Sequence, residues 1–193
     1  FIATDSTEVI ESCHQHDILD VKLTRKDHQS GTDRSFEVAA NQNRPFVLNV
    51  QGDEPFICNT DLMNLMMYYE SLRRKCIATM AFCSKNLNDY RSSHVVKVVT
   101  DKHSKALFFS RAPIPFSLDA LEYFQHHMGV YAYHVDVLSR FCELPPSSLE
   151  QQEKLEQLRA LDNGIDIFVM QADHLSHGID TQDDLERAKS KLA

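Results

Sequence analysis

The stretch Pro45-Phe-Val-Leu-Asn-Val-Gln-Gly-Asp-Glu-Pro55 decides the fold of this chain. Its apolar run, Phe46 to Val50, stops at Gly52, and two carboxylates and a proline follow. A short continuous apolar run ended by a turn signal reads as a strand buried on both faces of a parallel sheet. In such sheets ligands bind in the crevice outside the carboxyl ends of the strands. Gly52 permits close backbone approach there, and Asp53 offers hard oxygen ligands suited to magnesium. Two readings share these residues: a site for a metal with a phosphate-bearing substrate, and a strand followed by an ordinary acidic turn.

Working outward, strands and helices mostly alternate. Phe1 to Thr4 reads as a strand end, with Ser6 or Thr7 capping a short helix, and Asp20 to Thr24 as a second strand. A polar loop from Asp27 to Arg34 leads into a helix from Asp33 to about Ala40. Leu62, Leu65, Met66, Tyr69 and Leu72 recur at helical spacing after Asn59. Cys76 to Phe82 is apolar and extended, and Val95–Thr100 and Ala106–Ser110 form a hairpin around Asp101 to Lys105. Met128 to Tyr133 is rich in strand formers. Ser147 and Glu150 form a capping box that opens a helix through Leu149, Leu155, Leu158 and Leu161, ended by Asn163-Gly164. Ile165 to Met170 predicts a strand, and Thr181-x-x-Asp184 predicts the cap of a last helix over residues 182–192. The pattern predicts an α/β fold with a mostly parallel sheet and a hairpin insertion.

The 193 residues fit a single domain, and with 42% apolar and 25% charged residues the composition is that of a globular protein. No apolar stretch approaches the roughly 18 residues of a membrane span. Five scattered cysteines without a C-x-x-C pair predict reduced thiols in a cytosolic protein and argue against a zinc ribbon. A net charge of −8 argues against a nucleic-acid polymer as partner, because phosphate backbones are bound by clustered Lys and Arg. It leaves room for a small anion held by a few local cations and a metal.

Several residues carry chemistry-bearing patterns. Ser30-Gly31-Thr32, followed by Arg34, can present backbone N–H groups and hydroxyls to an anion or a base, or simply cap a helix. Arg111 ends the strand from Ala106, where a guanidinium can clamp a carboxylate or phosphate, or serve as a surface arginine. His127 precedes Gly129, and Tyr131 and Tyr133 follow on one strand face, as pocket lining or as packing. Glu156 and Gln157 sit in a leucine-patterned helix, where a solvated face is the plain reading. Gly178-Ile-Asp180 repeats the glycine–aspartate logic of the opening segment, with Asp180 as an N-cap or as a second carboxylate beside Asp53 on one metal.

Taken together, these segments resemble the family of cytidylyltransferases that activate Kdo (3-deoxy-manno-octulosonate), an eight-carbon acidic sugar. The matching stretches are residues 27–34, 49–55, 95–99, 106–115, 128–133, 144–161 and 178–187, in the family's order and over nearly the whole chain. The resemblance implies a nucleotide-diphospho-sugar transferase, Rossmann-like fold over 1–193, with residues 95–150 forming a sugar-binding and dimerisation insertion. It implies conversion of CTP and Kdo to CMP-Kdo and pyrophosphate with Mg2+, in a cytoplasmic homodimer serving lipopolysaccharide synthesis. By the same resemblance, Asp53 and Asp180 hold the metal and serve catalysis. Gln51 and the loop of Ser30, Gly31, Thr32 and Arg34 contact the cytidine. Arg111, His127, Tyr131, Glu156 and Gln157 surround the sugar acid.

The chain departs from the family pattern at its start. The family's Ala-Arg strand end, the Arg-x-x-x-Lys-Pro-Leu phosphate loop and the N-terminal central strand are not in these residues, so the expectation is a fragment of a longer protein. Leu175-Ser-His-Gly178 replaces a glycine- and proline-rich approach to Asp180, and Ser92-Ser-His94 an Asn-Pro approach to Val95. The alternatives are a catalytically inactive homologue that keeps ligand binding or dimerisation, and a cytidylyltransferase for a related sugar acid.

Overall fold

A computed structural model describes residues 1–176, 178–179 and 182–192. The expected metal ligand Asp180 and the expected cap Thr181 lie outside the described residues. Strand β1 (Ile2–Thr4) pairs in parallel with β2 (Val21–Leu23), and α1 (Thr7–Gln15) connects them. The Ser6 hydroxyl accepts from Val9 N at 3.4 Å and so starts α1, as the sequence predicts. Helix α2 (Gly31–Ala40) and strand β3 (Phe46–Val50) follow, then α3 (Asn59–Leu72) and β4 (Ile77–Ser84). A short helix α4 (Leu87–Arg91) precedes the hairpin of β5 (Lys97–Thr100) and β6 (Ala106–Ser110). The long β7 (Phe124–His134) runs into α5 (Val135–Cys142), and α6 (Ser148–Glu153), α7 (Gln157–Asp162), β8 (Ile167–Gln171) and α8 (Gln182–Leu192) complete the order.

The main sheet is mixed and runs β6-β5-β7-β4-β8, with β3 also on β7. β4 and β8 are parallel, whereas β7 lies antiparallel to β3, β4 and β5. The α/β class therefore holds, but the ladders are more antiparallel than the expected mostly parallel sheet, because β7 inserts between β3 and β4. β3 corrects a second expectation. It pairs only with β7 among the described strands, and its Phe46 and Val50 are exposed, so it is not buried on both faces. Its other edge borders a groove of ≈ 790 Å³ walled by β1 and α2.

Helices cover both faces of the sheet, and the two-residue period of the strands divides the core accordingly. On one side Ile77, Ala81, Ile167 and Val169 pack with Val137, Leu138 and Phe141 of α5 and Leu158 of α7. On the other, Ala78, Met80, Phe168 and Met170 pack with Leu65 and Tyr69 of α3. Phe109, Leu138 and Leu158 are fully buried, each contributing about 1.5–3 kcal/mol relative to exposure.

The expected single helix after Ser147 is two. Its capping box forms, with Glu150 N on Ser147 Oγ at 3.2 Å and Ser147 N on Glu150 Oε2 at 3.0 Å. At Lys154 the backbone turns left-handed (φ 56°), which ends α6 before the chain resumes as α7. Leucine spacing does not reveal this break, because Leu155 and Leu158 still reach the core after it.

Candidate active site

Helix α2 starts where the sequence predicts a polar cap. Ser30 Oγ accepts from Asp33 N at 3.2 Å, which satisfies one of the free N–H groups of the first turn. Gly31 is the next residue, and its backbone lies against the Gln51 side chain from the end of β3. A Cβ on Gly31 would stand 2.9 Å from Gln51 Oε1, so the missing side chain is what lets the amide rest there. Two residues of the expected cytidine site, 20 positions apart in sequence, thus meet. Both line the groove beside β3, together with Gly52, Arg34 and Asn49. Ser35 Oγ binds Asn49 Oδ1 at 3.0 Å, while the buried Asn49 Nδ2 has no hydrogen-bond partner among the described residues.

Thr32 connects this loop to the other half of the site. Its buried hydroxyl donates to Glu156 Oε2 at 2.7 Å, across 124 positions of sequence. Burial pushes the Glu156 carboxyl above its usual range, against the hydroxyls of Thr32 and Ser30 and the Arg159 charge, which pull it down. Its Oε1 is buried without a hydrogen bond among the described residues, and Arg159 Nη2 stands 3.7 Å away. Gln157, the first residue of α7, is buried beside it. Arg159 is held by Glu150, whose Oε1 and Oε2 accept from the guanidinium at 2.5 and 2.8 Å. This bidentate pair fixes the α6–α7 corner that carries Glu156.

Tyr131 and Tyr133 alternate on β7, facing the same side, with ring centroids 5.9 Å apart. Burial raises both phenols well above the ordinary tyrosine range, and the nearby Glu156 charge adds to this, so both remain neutral donors. His127 lies deeper. Its ring packs edge-on to Phe109 at 4.9 Å and against Tyr131 at 5.6 Å, and its Nε2 meets Thr79 Oγ1 at 3.0 Å. That hydroxyl donates to Val130 O at 2.7 Å, which leaves Nε2–H as the donor to Thr79. Burial lowers the His127 pKa to about 3, with the neighbouring His126 charge acting in the same direction. His127 is thus a neutral support beneath Tyr131.

Arg111 follows the end of β6. Its Nε donates to Glu153 O at 3.0 Å and its Nη1 to Ser93 O at 2.9 Å. The Glu153 carboxylate in turn receives Ser110 Oγ–H at 2.7 Å and the Arg111 N–H at 2.9 Å. Lys97, fully buried inside β5, donates to the carbonyls of Ser92 and Val95 at 2.9 and 2.7 Å and to that of Arg111. Burial, and then the Arg111 charge, lower the pKa of this ammonium.

Arg34 is placed differently from the rest. Its guanidinium is engaged by Asp5 at 3.0 Å and by Thr24 at 2.5 Å, so it ties α2 to the β1–β2 pair at the wall of the groove. Asp53 sits exposed in the turn after β3, where Glu54 N binds Gln51 O at 3.1 Å. Its backbone carbonyl receives Ile179 N at 2.7 Å, and Ser176 Oγ donates to Glu54 Oε2 at 2.7 Å. The segment approaching position 180 is thereby brought to the Asp53 turn. An exposed carboxylate at a strand's carboxyl end suits Mg2+, which commonly takes one or two protein carboxylates and completes its shell with phosphates and water.

The sequence reading did not single out Glu153, Lys97 or Thr79, although each holds a site residue in place. Only Lys97 left a signal, a cation between valines within a strand. Glu153 looks like an ordinary helix-surface carboxylate, and Thr79 like a strand threonine.

Residues 1–167 match the family model described as cytidylyltransferase. A 3-deoxy-manno-octulosonate cytidylyltransferase of Wolinella succinogenes is 44% identical over 97% of this chain and 80% of its own length. The chain belongs to the 3-deoxy-manno-octulosonate cytidylyltransferase family. The family member from Koribacter versatilis is 42% identical over 99% of this chain and 72% of its own length. A solved structure of CMP:2-keto-3-deoxy-manno-octonic acid synthetase complexed with CTP superposes with a TM-score of 0.90 at 35% identity, covering 98% of this chain and 78% of that one. The protein is thus a nucleotidyltransferase with a Rossmann-like fold, and enzymes of this kind typically depend on a metal.

Proposed function

We propose that this cytidylyltransferase joins CMP from CTP to Kdo, releasing pyrophosphate, with Mg2+ as its metal. The observation that carries this reading is the Thr32–Glu156 hydrogen bond, which closes the loop at residues 30–34 onto the α6–α7 corner. Around that link stand a groove suited to a base and ribose, a half-buried carboxylate and a pair of neutral tyrosines. Gln51 and the α2 N-terminus take the nucleotide. Its unpaired N–H groups and macrodipole favour negative charge, and Asn49 Nδ2 offers a donor inside the groove. Glu156, Gln157 and Tyr131 hold hydroxyls of the sugar acid, and Arg111 its carboxylate.

The difficulty in this reaction is that a sugar hydroxyl must reach a phosphorus atom surrounded by negative oxygens. Mg2+ held by Asp53 and Asp180 would neutralise phosphate charge and help to align the displacement. The chain's own contribution is positional. Glu153 and Lys97 fix the backbone at Arg111 from two sides, so the guanidinium meets a carboxylate without first ordering its stem. Neutral His127 keeps Tyr131 in place without adding a charge next to Glu156. A cytoplasmic homodimer supplying lipopolysaccharide synthesis belongs to the same reading. The exposed Leu107, Phe116, Leu118 and Tyr123, all within residues 95–150, support a dimer surface there.

Pyrophosphate release by the full-length protein tests the proposal. Release from CTP should require Kdo and Mg2+ together and fall strongly in Asp53→Ala. A folded protein that binds CTP but releases no pyrophosphate with Kdo would favour an inactive homologue. Release with other sugar acids but not with Kdo would overturn the choice of substrate.

A further inference from the structure

The entry to α3 holds a second group of metal-ligating side chains, apart from those assigned to the nucleotide and the sugar. Cys58, Asp61 and His174 bring a thiol sulfur, a carboxylate oxygen and an imidazole nitrogen within 4.8 Å of one another. Cys58 occupies the N-cap position of α3, yet no side-chain hydrogen bond caps the helix there. Its sulfur is therefore not spent on the structural role its position would give a serine or aspartate.

Asp61 lies in the first turn of α3 and is fully buried. The N–H groups of Asp173 and His174 donate to Asp61 Oδ1 and Oδ2 at 3.2 and 3.1 Å, and His174 Nδ1 stands 3.1 Å from Oδ2. The two amides aim the carboxylate, as the partners of metal-bound carboxylates usually do. Each carboxylate oxygen has two lone-pair sites, so these contacts leave acceptor capacity.

The spacing fits a tetrahedral ion. With zinc–nitrogen and zinc–oxygen bonds of about 2.0–2.1 Å and a zinc–sulfur bond of about 2.3 Å, neighbouring ligand atoms stand about 3.3–3.6 Å apart. The imidazole–carboxylate pair is already near that separation, and the sulfur needs only a side-chain adjustment. One thiolate, one imidazole and one carboxylate form a borderline-soft set that favours Zn2+ over Mg2+ or Ca2+. The half-exposed Cys58 and the exposed His174 leave an entry path and a position for water.

We propose that Cys58, Asp61 and His174 form a site for a zinc-class divalent cation, with water as the fourth ligand. Binding releases the Cys58 thiol proton to solvent, leaves the neutral His174 ring proton on Nε2 instead of Nδ1 through exchange with water, and replaces the His174–Asp61 hydrogen bond with two bonds to the metal. The ion would join the start of α3 to the segment after β8. That segment also carries Ser176 and Ile179, which hold the Asp53 turn. The site does not depend on the nucleotide and sugar assignments above.

The test uses the untagged, reduced, metal-free protein and Co2+ as a spectroscopic probe. Expected is saturable uptake of about one Co2+ per chain with an intense thiolate-to-cobalt charge-transfer band and tetrahedral visible bands, displaced by about one equivalent of Zn2+. Cys58→Ser should abolish the charge-transfer band, and His174→Ala should weaken Zn2+ binding at least tenfold, about the least that even losing a ligand's hydrogen-bond partner costs. Cys83→Ser, at the exposed cysteine of β4, should behave like the parent. Asp61 is buried and holds two amides, so its replacement would disturb the segment after β8 as well as the ligand set. Absence of saturable uptake, a band that survives Cys58→Ser, or uptake without any thiolate band would overturn the proposal.

Discussion

Gly31→Ala should weaken CTP binding without weakening the fold. An alanine Cβ would stand 2.9 Å from Gln51 Oε1 and 3.6 Å from Nε2, and the first distance is inside the closest approach real Cβ atoms make. The conflict falls on the far end of a flexible side chain, so the Gln51 amide swings away and the backbone stays. Gly31 opens α2, and it is Gly164 that has the positive φ, so alanine is tolerated at position 31. Within a helix alanine is favoured over glycine by about 0.5–1 kcal/mol, so stability should hold or rise slightly. If Gln51 contributes one hydrogen bond to the nucleotide, its displacement costs about 0.5–1.5 kcal/mol, or about 2- to 13-fold in CTP affinity. Calorimetric titration with CTP at fixed magnesium reads the first effect, and a thermal melt reads the second. Because the effect runs through Gln51, adding Gly31→Ala to Gln51→Ala should cost nothing more than Gln51→Ala alone. Unchanged CTP affinity in Gly31→Ala, or fully additive losses in the double variant, would refute the reasoning.

The remaining predictions concern the supports of the site. His127 is neutral when folded, with its pKa lowered by burial from an ordinary 6.5 to about 3, so the unfolded chain binds its proton first as pH falls. Stability should therefore drop below pH 6.5 by up to about 1.4 kcal/mol per pH unit, partly offset by Glu156, whose raised pKa favours the folded state in acid. Urea denaturation at a series of pH values should show a flatter acid limb for His127→Asn, and an unchanged limb counts against His127 as its origin. Lys97→Met removes the partner of three carbonyls in a fully buried place and should cost about 3 kcal/mol or more, read as a lower urea midpoint. A midpoint equal to the parent's would mean that water replaces the ammonium. Glu153→Gln turns an amide N–H towards either Ser110 Oγ or the Arg111 N–H, and should raise KM for Kdo severalfold with little change in KM for CTP. Equal changes in both constants would argue against a specific link to Arg111.

Much of the frame was readable in sequence because its signals are local. Ser6 and the Ser147–Glu150 box start helices where predicted, and the apolar runs read at 46–50, 76–82 and 165–170 form strands over 46–50, 77–84 and 167–171. What was not readable depends on distant partners. β3 looked like a strand buried on both faces, since an apolar run does not tell which neighbours a strand has. Lys154 takes a left-handed backbone that its side chain does not announce. In the site, Gly31 and Gln51, joined in the sequence only through the family resemblance, lie side by side because the glycine leaves room. The Thr32–Glu156 bond spans 124 positions, and only the sheet determines that those positions meet. Arg34 drew attention as a possible anion contact, and its pairing with Asp5 and Thr24 became visible only in the fold.

β7 joins β3, β4 and β5 in one continuous strand, with Asn49 opposite Tyr131 and Lys97 opposite His126. Its register is thus shared by both substrate regions, and slipping it by a single residue would turn every side chain along it to the other face. Mutational routes to a new sugar preference through this strand would have to pass through variants that also disturb the nucleotide side. The α6–α7 corner shares no strand register with the groove, and meets the loop at residues 30–34 through the Glu156 side chain. Random libraries aimed at acceptor specificity should therefore yield few active members around residues 124–134.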